Sequence, residues 1–186
     1  MVSLNRVVMQ KSSRRMIRAL GPDSLHAAEI SGKWGKTFNF RSYRQFRFPK
    51  HDICAAPFAY KDGTPRDFDL ILANQVWEHL DRPYAATKNV YKMLRKGGFF
   101  WVAVPFFVPF HAAPQDNSRW SARGLKNLLI EAGFDEGAIH ADQWGNRHVA
   151  RRNLEEVWPP VYDAETDDIK NDPMMPICSW ALAQKV

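Results

Sequence analysis

The stretch from Phe68 to Phe134 constrains the fold more than any other part of this chain. It reads as strand, helix, strand, polar loop and helix with little insertion. Asp69-Leu70-Ile71-Leu72-Ala73 is an unbroken apolar run behind an acidic start, the pattern of a strand covered on both faces inside a parallel sheet. Asp81 is expected to cap a helix with Pro83 just inside its start. Tyr84, Thr87, Tyr91 and Leu94 recur at helical spacing, and Arg95, Lys96 and Gly97 are expected to close that helix. Phe99 to Val104 reads as the next buried strand. Two parallel strands joined through a helix make a crossover unit. Open sheets of such units bind ligands beyond the carboxyl ends of their strands, so residues 74–79 and 105–120 are where function is expected.

The flanking segments are expected to complete the same sheet. Residues 4–20 read as a basic amphipathic helix with Leu4, Val7, Val8, Ile17 and Leu20 toward one side. His26 to Ile30 is a short strand, followed by a turn over residues 31–35. Residues 36–67 mix aromatics with Arg and Pro and predict one or two short strands with little helix. Ser121 caps a helix carrying Leu125, Leu128, Leu129 and Ala132, with Gly133 just past its end. Residues 139–144 read as a strand, 148–158 as helix, 163–172 as a polar loop and 178–183 as the final strand. The expected organisation is one domain: an N-terminal helix over 1–24, a core over 25–145, and a closing helix, loop and strand over 146–186.

At 186 residues, 45% hydrophobic and 25% charged, the chain has the composition of an ordinary globular domain with a sizeable core. No apolar run approaches the ~20 residues that span a bilayer. Arg6, Lys11, Arg14, Arg15 and Arg18 interrupt every apolar stretch near the N-terminus, so no signal-peptide core is read there and the cytoplasm is the expected compartment. Cys54 and Cys178 supply neither a disulfide framework nor a zinc spacing. No His-x-x-x-His or Cys-x-x-Cys pattern is present, and no metal is expected. The net charge of +6 permits an anionic partner, but no nucleic-acid-reading motif accompanies it, so nucleic acid is not the expected partner.

Phe68-Asp69-Leu70-Ile71, Glu78-His79-Leu80 and Met93-Leu94-Arg95-Lys96-Gly97-Gly98-Phe99, in that order and spacing, resemble the second half of a class I S-adenosylmethionine-dependent methyltransferase. Val104-Pro105-Phe106, His111, Pro114, Asp116, Arg119-Trp120-Ser121, Gly124-Leu125 and Ala132-Gly133-Phe134 are similar to a bacterial subgroup linked with glycan and secondary-metabolite modification. The likeness covers roughly residues 25–145 and the closing strand near Trp180. It implies an α/β, Rossmann-like, mostly parallel sheet with flanking helices and an antiparallel C-terminal edge strand. It also implies S-adenosyl-L-methionine as cofactor. The first half is abbreviated: the family fits two strands and two helices into a segment about twice as long.

Methyl transfer from a sulfonium is an in-line displacement, so the protein must bind the donor, align the acceptor and remove a proton. The resemblance places donor binding on Glu29, Ser31, Gly32 and Lys33, where Ser31 stands at the family's first glycine. A plain strand-to-loop turn is the alternative for that segment. The acid that usually ends the second strand falls near Arg47, of the wrong charge. Asp52, with Ile53 beside it, is the substitute, or else a turn-capping carboxylate. Asn74 and Gln75 are expected along the donor's methionine side.

His111 is the expected base, since an imidazole accepts a proton near neutral pH, and Asp116 is expected to orient it. Arg119 and Trp120 are expected to hold an acidic group and a ring of the acceptor. Equally open is that Asp116 and Arg119 pair with each other and His111 merely packs. Glu78 and His79 read as helix-start residues, Glu78 gaining from the helix dipole.

The leading expectation is an O-methyltransferase acting on a hydroxyl of a sugar or secondary metabolite, with a homodimer contributing part of a small-molecule acceptor site. An inactive methyltransferase-like partner subunit and an RNA methyltransferase are the alternatives.

Overall fold

A computed structural model describes residues 2–112 and 114–186. Its centre is one six-stranded sheet. The strands are β1 (His26–Ile30), β2 (Ser42–Phe46), β3 (Phe68–Asn74), β4 (Leu94–Pro105), β5 (Ile139–Trp144) and β6 (Cys178–Gln184), in the spatial order β2-β1-β3-β4-β6-β5. β1, β2, β3 and β4 pair in parallel. β6 runs antiparallel to both of its neighbours. The antiparallel strand is the one expected, but its place differs: β6 inserts between β4 and β5 and leaves β5 at the edge. Its composition fits that position, because Cys178, Ser179, Trp180, Ala181 and Ala183 are all buried, as a covered inner strand requires.

Helices cover both faces. α2 (Pro83–Lys92) and α3 (Ala122–Ala132) pack Ala86, Val90, Leu125 and Leu129 against Ile71, Phe100 and Val102. On the other face, α1 (Val7–Ala19) and α4 (Arg147–Arg152) bring Met9, Ile17, Val149 and Ala150 onto Leu70, Leu72, Trp101 and Trp180. In α1 the buried stripe is Met9, Ser13 and Ile17, four residues apart, while Lys11, Arg15 and Arg18 face outward. Among the described residues no helix is long and apolar enough to cross a membrane.

The alternation of β3 and β4 through α2 is the expected crossover, with two local corrections. Arg82, not Asp81, is the N-cap of α2, and it makes no side-chain cap; Asp81 instead accepts a hydrogen bond from the Asn117 amide at 3.2 Å. Pro83 fills the first helical position, where a missing N–H costs nothing. The helix ends at Lys92, and Leu94 already pairs with Phe68, so Arg95 to Gly98 belong to β4. A lysine or arginine stop signal cannot tell a helix end from a strand start when only one residue separates them. The predicted helix over 148–158 shrinks to α4, with Asn146 accepting from the Val149 N–H at 2.8 Å as its cap. α3 has the expected ends: the Ser121 hydroxyl accepts from the Gly124 N–H, and Gly133 adopts φ +116°. Between β1 and β3 only β2 and a 3-10 turn are built, which confirms the abbreviated first half.

Candidate functional site

The parallel strands deliver their carboxyl ends to one side of the sheet, and the loops there build two cavities. The loop after β1 takes its shape from Glu29. That carboxylate is fully buried and accepts hydrogen bonds from the Trp34 N–H at 2.9 Å, the Gly35 N–H at 2.6 Å and the Tyr43 hydroxyl. A Cβ at Gly32 would stand 1.9 Å from Glu29 Oε1, so only glycine leaves this frame intact. Beside it Ser31 takes φ +53°, and Gln75, just past β3, takes φ +56°. Left-handed backbone at non-glycine residues is uncommon and gathers at functional sites. Both residues are locked by their own N–H groups, Ser31 to Phe46 O at 2.7 Å and Gln75 to Ala103 O at 2.8 Å.

Those two turns form walls of a cavity of about 400 Å³, lined also by Phe48, Asp52, Ile53 and His79. Of the residues expected to bind the donor, Ser31, Asp52, Ile53 and Gln75 line it. Glu29, in β1, and Gly32 and Lys33, in the loop after it, do not line the cavity. Nor does Asn74, whose Oδ1 is buried and unpartnered, as is the Gln75 Nε2. Asp52 satisfies both readings left open for it: Oδ1 accepts the Cys54 N–H at 2.8 Å in a turn, and the residue faces the cavity. Arg47 follows the end of β2 and is exposed.

The loop after β4 is pinned to the same edge. Glu78 O accepts from the Asn117 N–H at 2.8 Å and the Ser118 N–H at 3.2 Å, and His79 Nδ1 bonds Gln115 O. Within it the Asp116 carboxylate, 2% exposed, receives a two-pronged hydrogen bond from Arg119 and the His111 N–H at 2.8 Å. The Arg119 guanidinium, opposing desolvation, holds the Asp116 pKa down to about 2. Asp116 Oδ2 also lies 3.4 Å from His111 Nδ1. The pairing of Asp116 with Arg119 and the contact of Asp116 with His111 thus coexist. Trp120 packs on the core, its carbonyl accepting from Ser179 Oγ at 2.7 Å, and neither it nor Arg119 is among the residues that line these two cavities.

Sequence reasoning missed Glu78 as a chemical group. Residues Trp77–His79 form a 3-10 turn ahead of α2, so the carboxylate does not sit at the helix N-terminus. It is fully buried, both oxygens lack a hydrogen-bond partner, and desolvation pushes its pKa up to about 7. Its ligand atoms and those of His79 and His111 lie within 4.8 Å of one another, a grouping of a carboxyl and two imidazoles that residue spacing did not suggest. Phe48 and His51 on the rim of the large cavity were also missed. A lone aromatic in a mixed segment carries no periodic signal, although Phe48, 65% exposed beside a cavity, is unusual for its type.

A mostly parallel sheet with covering helices and a cavity past the ends of β1 and β3 is the arrangement in which open α/β sheets hold ligands. A family model described as a methyltransferase domain matches residues 13–102. A S-adenosylmethionine-dependent methyltransferase from Thermotoga maritima shares the fold over 98% of both chains at 15% identity, with a TM-score of 0.58. One from Archaeoglobus fulgidus covers 95% of this chain and 94% of its own at 12% identity, with a TM-score of 0.54. Phosphoethanolamine N-methyltransferase 2 of Haemonchus contortus, solved with S-adenosyl-L-methionine, matches 94% of this chain and 52% of its own at 11% identity and a TM-score of 0.57. No curated protein matches the sequence significantly. The domain match over residues 13–102, just under half of the chain, and the fold likeness over nearly all of it make the chain similar to class I S-adenosylmethionine-dependent methyltransferases.

Proposed function

We propose that the protein transfers a methyl group from S-adenosylmethionine, held in the cavity of about 400 Å³, to a hydroxyl of a small molecule such as a sugar or secondary metabolite. The observation that carries the donor assignment is the pair of left-handed residues, Ser31 and Gln75, that both line that cavity just past the ends of the adjacent strands β1 and β3. The residues fit the cofactor. Asp52 offers a carboxylate to a ribose, Phe48 an exposed ring to a base, and Gln75 a buried amide with no partner of its own. When bound, the sulfonium supplies an already activated methyl group.

The chain's own task is then to position the acceptor and take its proton. His111 does the second. With Pro109 O at 3.2 Å and Asp116 Oδ2 at 3.4 Å from Nδ1, a proton on Nδ1 is favoured, which leaves Nε2 as the accepting atom. Arg119 keeps Asp116 ionised and in place, so Arg119 is a positioning residue. Titrating purified protein with S-adenosylmethionine and S-adenosylhomocysteine tests the reading. Micromolar binding that is lost when Gly32 gains a bulky side chain supports it, and a folded sample that binds neither overturns it. One observation favours a second reading, a methyltransferase-like subunit without catalysis: Arg47, not an acid, follows β2.

A further inference from the structure

The site leaves one basic group without a counter-ion. Among the described residues the Arg6 guanidinium makes no side-chain hydrogen bond or ion pair, and desolvation lowers its pKa from the ordinary arginine value. Its nearest electrostatic partner is Glu78, which lies beyond ion-pair distance and is itself pushed toward the neutral acid by burial. Arg6 lines a second, small cavity of about 20 Å³ between the ends of β3 and β4 and the N-terminal segment, together with Ser3, Gln75, His111 and Trp158. Ser3 Oγ and Gln75 Nε2 are both buried with no partner. Hydrogen-bond donors from two separate segments thus border a space wide enough for one polar group and too narrow for a ring.

This corner is rigidly built. Ser3 bridges Val161, the Leu4 N–H donates to Pro160 O at 2.9 Å, and the Tyr162 N–H donates to Val2 O at 3.0 Å. The side-chain amides of Asn5 and Asn153 bond each other reciprocally at 2.7 and 2.8 Å, and Trp158 Nε1 donates to Asn153 Oδ1 at 2.8 Å. The backbone on either side of the half-buried Arg6 is therefore fixed, and a guanidinium carried on it is suited to a planar carboxylate.

We propose that this small cavity is a carboxylate subsite, with Arg6 as its ion-pair donor and Ser3 and Gln75 completing the contacts. The inference rests on the methyltransferase reading above, because Gln75 lines both cavities and joins them. The carboxylate belongs either to the acceptor or to the amino-acid end of the donor. Arg119, the expected anchor for an acidic group, is occupied by Asp116, and Arg6 takes over that role.

The test uses the protein with labelled arginine side-chain nitrogens, and its Arg6→Gln and Arg6→Lys variants, each checked for a native melting transition. Acetate is expected to shift the Arg6 Nε resonance of the wild type, with that signal identified by its loss in Arg6→Lys. Each protein is also titrated with S-adenosylhomocysteine and with 5′-methylthioadenosine, which lacks the amino-acid end. A tenfold or greater loss of S-adenosylhomocysteine affinity in Arg6→Gln, with 5′-methylthioadenosine unchanged, assigns the subsite to the donor. Unchanged affinity for both, with acetate still acting on the wild type, assigns it to the acceptor. An Arg6 resonance that acetate does not move, with equal S-adenosylhomocysteine affinity in all three proteins, overturns the subsite. A wild type that binds neither nucleoside yet responds to acetate keeps the subsite and removes the donor assignment instead.

Discussion

The two cavities at the carboxyl edge of the sheet are made by opposite means. Around the large one, shape comes from the backbone: two left-handed residues, a glycine pressed against Glu29, and a buried carboxylate satisfied by loop N–H groups and a phenol. Around the small one and the adjoining loop, the structure is a matter of charge. Arg6, Glu78, His111, Asp116 and Arg119 sit close together, some paired and some not. A site that must fit one invariant ligand gains from fixed backbone, which needs no reorganisation. A site that must move a proton gains from groups whose protonation is adjustable.

The sharpest way to break this division is at His111. Replacing it with Gln is expected to lower kcat by roughly 10²-fold or more while leaving donor affinity within experimental error, as read by single-turnover kinetics beside calorimetry. Donor affinity falling with kcat would show that the two regions are not separate.

Next in size is Glu78→Gln. The acid titrates near 7 when folded and lower when unfolded, so the unfolded chain ionises first and stability falls as pH rises between about 4.5 and 7. Removing the carboxyl is expected to stabilise the protein by on the order of 2 kcal/mol at pH 8 and by nothing at pH 4. Asp116 works in the other direction. With its folded pKa near 2, its contribution is present above about pH 4 and is lost as pH falls toward 2. Chemical denaturation across pH separates the two, and a Glu78→Gln effect independent of pH rejects the burial account.

On the backbone side, Gly32→Ala is expected to displace the Glu29 carboxylate and weaken S-adenosylhomocysteine binding about tenfold, with kcat at saturation unchanged. The smallest effect is expected from Ser31→Gly. Relieving φ +53° is worth about 1 kcal/mol in a melting curve, and donor affinity should stay as it was.

That last residue shows what was legible and what was not. Ser31 was expected to depart from the family's glycine pattern, and it does so only in chemistry, since its backbone adopts the left-handed turn a glycine would. Conformation at one residue is not written in its type. β1, β3, β5 and β6 were readable because burial on both faces or clear turn flanks give them a pattern. The position of β6 was not, since nothing in a short apolar run states which neighbours it pairs with. The proximity of His111 and Asp116 could be read because both fall in one loop after a predicted strand. Glu78 beside Arg6 could not, because seventy-odd residues separate two charges that meet only after α1 folds across the sheet. For Arg119 the sequence left two roles open, an anchor for the acceptor and a partner of Asp116, and the contact with Asp116 is present.

The insertion of β6 between β4 and β5 sets an order of events during synthesis. A nascent chain exported through residue 120 can already pair β2, β1, β3 and β4, and it contains every residue that lines the large cavity. Among the described residues β5 pairs only with residues 178–184, so it joins the sheet once they emerge. The exposed edge of β4 therefore waits open for the length of the intervening chain, and a translational pause within residues 121–177 would prolong the interval in which that edge can pair with another molecule.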